Sequence, residues 1–227
     1  MTAETYRQTF RREEIGPRYS GPAHLGLTVG ACCAAIAVCV LQLHAVTPLQ
    51  WLTVPAIFVY ANLAEYFGHR GPMHHPRPGL RLIFHRHTEQ HHRFFTARDM
   101  AFDSSRDYKA VLFPPVMLLF FFGGFGAPIG VLLGLTTAPN VGWLFAATAT
   151  AYFLNYELLH YCYHTRPDSR LARLPGMAVL RRLHTAHHDP ALMTHYNFNI
   201  TYPIGDWLFG TLWRARRTAQ PSTEQRG

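Results

Sequence analysis

Apolar and polar positions are segregated along this chain into long blocks. Residues 20–64 contain no Asp, Glu, Lys or Arg, and neither do residues 110–156. Each block is long enough for two helices of ~20 residues, the length that crosses a hydrocarbon core of ~30 Å. Helices on the surface of a soluble protein keep a charged face, so the blocks read as membrane spans and not as a buried core. The first divides into spans at 24–46 and 49–66, joined by the uncharged stretch HAVTPLQ. The second divides into 111–135 and 142–160. Gly123, Gly124, Gly126 and Pro128 interrupt the third span, which fits one kinked helix or a re-entrant hairpin. The expected fold is all-α: about four transmembrane helices carrying a helical cap, in a single domain over 1–227. Residues 1–20 and 217–227 read as polar tails.

Charge gives this layout a direction. Every Arg, and the single Lys109, lies outside the two blocks. Two apolar hairpins would leave all three basic segments on one side, and the positive-inside rule makes that side cytoplasmic. The net charge of +8 is then a membrane-surface feature. A nucleic-acid partner is not expected, because the aromatics sit inside the apolar blocks and not beside the basic residues. Cys32, Cys33 and Cys39 fall in the first span as small apolar fillers. Cys162, between two histidines, is either filler or a soft ligand.

The histidines change the picture most. Of 15, two (His24 and His44) flank the first span, and the other 13 are clustered in the polar segments. They run His69-Arg-Gly-Pro-Met-His74-His75, His85-Arg-His87-Thr-Glu-Gln-His91-His92, His160-Tyr-Cys-Tyr-His164, His184-Thr-Ala-His187-His188, and His195. Residues three or four apart on a helix have Cβ atoms roughly 5–6 Å apart, so two imidazoles can meet on one ion. His160 with His164, His184 with His187 and His188, and His87 with His91 have that spacing. His69 and His74 are five apart, but Gly71-Pro72 should end the helix between them and let them converge across the turn. The out-and-back second block returns the third cluster to the side of the first two.

Nine or ten histidines exceed the four ligands of a zinc site, so two ions are implied. No cluster has the Glu-x-x-His form of the soluble di-iron bundles, and the metalloprotease pattern H-E-x-x-H is absent. An all-imidazole pair of metals at the end of membrane helices suits iron used with O2. Zinc binds such sites more tightly than Fe²⁺ and is expected as a competing occupant of purified protein. Glu65, Glu157 and Asp189 stand near the clusters and are candidates to orient ligand rings. A metal transporter is the rival reading; it would place ionisable residues deep inside its spans, and these blocks have none.

The order HRGPMH, HTEQHH, DYKAVLFPP, HYCYH, HTAHH and NFNITYPIGDWLFGT resembles the fatty acid hydroxylase/sterol desaturase superfamily over residues 65–213. The resemblance implies a multi-pass membrane enzyme with a cytoplasmic di-iron centre. It uses O2 and two electrons to hydroxylate or desaturate a lipid, first a fatty acyl chain, alternatively a sterol or carotenoid. Carried over by position, the implied ligands are His69, His74, His91, His92, His160, His164, His184, His187 and His188. The second box departs from H-x-x-H-H, since Thr88 stands where the first histidine should be. Either His87 or His85 fills the place; His87 is favoured for its pairing with His91. His75, His85 and His195 are held in reserve. No fused cytochrome b5 domain is expected. Electrons then come from a separate ferredoxin, flavodoxin or cytochrome b5 type protein drawn to the basic face.

Overall fold

The computed structural model describes residues 2–213, and the polar tail read at 217–227 lies outside them. Their regular structure is all helical, with no strand among the described residues beyond one isolated bridge between Thr96 and Asp99. Seven helices frame the argument: α1 (Ala3–Glu13), α2 (Gly21–Leu41), α3 (Thr53–Gly68), α4 (Ala127–Thr136), α5 (Pro139–Tyr163), α6 (Met177–His187) and α7 (Ile204–Leu208). The central helix is α5, which packs against α2, α3, α4 and α6.

The glycine-rich stretch does not double back on itself. Residues 116–136 form one helical run whose Leu119–Gly126 portion is π-helical and continues directly into α4. At its end Thr137 leaves the helical region and α5 starts antiparallel, with Pro139 in its first turn. The two helices approach through glycine. A Cβ on Gly142 would meet the Gly130 carbonyl oxygen at 2.4 Å, so the close crossing exists only without a side chain there.

Two stretches are long and apolar enough to cross a membrane, Gly21–Leu41 and Ser105–Thr136. Large apolar side chains stay exposed on all four long helical segments, among them Val40 and Leu41, Val59 and Tyr60, Leu119 and Leu135, and Trp143.

The polar first 20 residues hold a helix that docks on the rest of the chain. Thr2 caps α1 by accepting from the Thr5 N–H. Phe10 is buried edge-on against Phe94, with ring centroids 5.2 Å apart. Arg7 is 1% exposed and sits over the Phe94 and Phe95 rings. The helix is thereby fastened to the segment that follows the second histidine cluster.

Candidate metal centre

Ten histidines converge in two adjoining groups. His69, His74, His87, His92 and His187 form one; His91, His164, His184 and His188 form the other, and all nine are buried. His160 joins the second, its Nε2 3.2 Å from that of His91. The groups abut, with the His92 and His188 ring centroids 4.3 Å apart. The second and fourth clusters each serve both groups, because adjacent residues on a helix point to different sides.

A helix break and a π-helical turn make this possible. The helix breaks at Gly71, at φ −93° and ψ −105°, and His69 and His74 converge across the break with Nε2 atoms 3.2 Å apart. His85–His91 is π-helical, and its i→i+5 bonding brings positions i and i+5 nearer to one face. His87 and His92 are such a pair, with Nε2 atoms 3.0 Å apart. His87 Nε2 thus meets that of His92, while its ring stacks beside that of His91 with centroids 5.4 Å apart. The pair expected from spacing is adjacent but divided between the two groups, and His87 itself lies inside the cluster. His85 is exposed, 2.6 Å from Glu89. His75 and His195 are exposed and outside both groups. Cys162 packs with Tyr156, Tyr163, Met177 and Ile200, as filler.

None of the three carboxylates orients a ring. Glu65 accepts from the backbone N–H groups of Ile200 and Thr201 and from the hydroxyls of Thr201 and Tyr152. Glu157 accepts from the Phe113 N–H, and Asp189 from that of Ala191. Backbone carbonyls orient the rings instead. The Nδ1–H of His91 donates to Ala110, of His164 to Met100, of His187 to Tyr196 and of His188 to Phe95, at 2.8 to 2.9 Å; that of His69 donates to Phe198. Glu65 acts one step further out, since it grips the chain two residues beyond the Phe198 carbonyl. Asp206 grips the same loop through the Phe198 and Asn199 N–H groups.

These bonds fix the chemistry of the inward-facing atoms. A carbonyl oxygen only accepts, so each of these Nδ1 atoms carries the proton and each Nε2 is a bare lone pair. His74 follows the same rule. The Thr88 hydroxyl spends its proton on the Met73 carbonyl and leaves its oxygen to accept from His74 Nδ1. His74 and His187 then face each other with two lone pairs 3.0 Å apart, and His91 and His188 do so at 3.1 Å. Neutral imidazoles in that arrangement repel unless a cation lies between them. Burial among other histidines also disfavours protonation, pushing His91 down to about 3 and His187 to about 4. The donor set thus fits metal ions and does not fit protons.

Residues 54–211 match the model of the fatty acid hydroxylase family. The chain belongs to the fatty acid hydroxylase family. No curated protein and no solved structure matches it. The matched span begins in α3 and ends just past α7, so it takes in all ten converging histidines. It leaves out α1 and α2, and with them Arg7, which sequence reasoning missed. The available signal was Tyr6 and Phe10 four apart on one face and Arg7 and Arg11 on the next, in a segment with a Thr cap.

Beside the centre lies an apolar cavity of about 450 Å³ between α3, α5 and the phenylalanine-rich π-helical run. Its wall includes Pro72 and Met73, next to His74, and Tyr156, one turn before His160. A much smaller space of about 20 Å³ touches His87, His91 and His160 and shares Phe113 and Tyr156 with the larger one.

Proposed function

We propose that this fatty acid hydroxylase family member is a multi-pass membrane oxygenase. The ten histidines would hold two irons, and a lipid chain lying in the apolar cavity would present the C–H bond to be oxidised. The observation that carries the reading is the convergence of ten buried imidazoles, six of them with Nδ1 partners that leave Nε2 a lone pair, beside an apolar, chain-sized cavity. Iron bound by such a set supplies the activation of O2. This chain's own residues hold the reacting carbon near His87, His91 and His160, and the phenylalanine wall excludes water.

Each group offers five imidazoles, one more than a tetrahedral zinc site takes, which supports iron over structural zinc. The exposed apolar side chains on four helical segments support four spans. The basic residues at the polar end support docking of a separate, acidic electron-transfer protein.

Protein produced with added iron should carry close to two metals per chain by elemental analysis. Each of His69→Ala and His164→Ala should lose one. A single metal, unchanged in both variants, overturns the two-ion reading. Lipid extracts from cells with and without the gene should differ by one oxygen or two hydrogens in a single lipid class; identical extracts overturn the oxygenase reading.

A further inference from the structure

A second cavity, of about 590 Å³, opens on the other side of the Phe113–Pro114 wall. It is walled by Arg18, Arg86 and Lys109, faced by a single carboxylate, Glu14, and lipped by Leu27 and Val116. Nothing in the oxygenase reading uses it. Arg86 and Pro114 also line the small space beside His87.

Its three cations outnumber the one carboxylate, and among the described residues none of the three is in an ion pair. The Arg86 guanidinium is largely buried and bonds only neutral acceptors, the Gln90 side chain and the Lys109 carbonyl. Its Nε–H is buried without an acceptor. Lys109 donates to the backbone carbonyl of Glu14 and not to its carboxylate. The other polar groups on the wall are satisfied: the Tyr19 hydroxyl meets His24 Nδ1, and His24 Nε2–H donates to the Phe113 carbonyl. Keeping a guanidinium largely buried without a directly paired carboxylate is costly, and an arriving anion offsets that cost. The lip says what carries the anion. Leu27 and Val116 are each 55% exposed on the apolar helical runs, where an acyl chain would leave the pocket.

We propose that this pocket binds the anionic headgroup of a lipid, phosphate or carboxylate, with Arg86 as its central donor. The planar fork of Arg suits either group. Lys109 and Arg18 add charge, and the first methylenes lie along Leu27 and Val116. The site stands independently of the oxygenase reading.

The test is a lipid titration of the full chain, followed by native mass spectrometry. The probes are dioleoyl phosphatidylglycerol, oleate, dioleoyl phosphatidylcholine and sodium phosphate. The apolar cavity treats the two phospholipids alike, so their difference isolates the headgroup. Phosphatidylglycerol or oleate should bind at least roughly tenfold tighter than phosphatidylcholine, which decides between the phosphate and carboxylate sources. Arg86→Gln should abolish the preference and Arg86→Lys should keep most of it. If Arg86→Gln does not fold, Lys109→Gln should lower the preference severalfold. Equal binding of all lipids, a preference untouched by these variants, or displacement of lipid by millimolar phosphate alone overturns the proposal.

Discussion

His85 and His87 separate what spacing can tell from what it cannot. On an ideal α-helix five residues turn through about 500°, leaving positions 87 and 92 roughly 140° apart. The π-turn removes most of that offset, and His87 enters the same group as His92. The histidines themselves could be read from the chain; their division between two groups could not, because a π-turn has no periodicity of its own in the sequence. The carboxylates misled for a related reason. Glu65 and Glu157 stand one turn before histidines, but the rings take carbonyl acceptors, which no side-chain pattern reveals. We expect His87→Ala to lose bound metal and turnover together, and His85→Ala to keep both. Metal analysis of the two purified variants decides; a metal-depleted His85→Ala with an intact His87→Ala reverses the assignment.

Helix α1 acts on the centre through a loop. Arg7 donates to the carbonyls of Phe94, Asp99 and Ala101 and pairs with Asp99 at 2.9 Å. Between those carbonyls lie those of Phe95 and Met100, which orient His188 and His164. Releasing the loop should loosen two rings of the second group without removing a ligand. Arg7→Gln should therefore raise the rate of metal loss to a chelator about tenfold, the lower end of what outer residues of metal sites contribute, with helix content unchanged. Arg7→Lys should not restore it, since a single ammonium cannot span three carbonyls and an ion pair. Metal retention equal to the parent protein refutes the link. The long apolar helices were legible from the chain because the absence of charge is a signal summed over many residues. Helix α1 was not, because it is short and mostly polar, and its hold depends on partners some 90 residues away.

The assembled molecule has a polar end, where the histidines and basic residues gather, and an apolar body. If all four helical segments cross, reporter fusions at Pro48 and Pro139 should both face away from the cytoplasm; a cytoplasmic signal at Pro139 shows that 116–136 does not cross. Acid should also weaken the metal-free protein. An unfolded histidine titrates near ~6.5, while burial holds His187 at about 4 and His91 at about 3. The unfolded chain thus takes up protons first. Stability is fully present above about pH 6.5 and falls by roughly 1.4 kcal/mol per pH unit for each such ring, until the folded-state values are reached. Thermal midpoints of apo-protein between pH 7 and 5 should drop accordingly; a flat profile contradicts neutral burial. The division of the clusters between two groups has a last consequence, for biosynthesis. The first group waits for His187 and the second for His188, so neither pocket is whole until residue 188 has left the ribosome. The three earlier clusters are made while their imidazoles still lack these partners, and any metal the centre takes would be enclosed only once the fourth cluster has joined them.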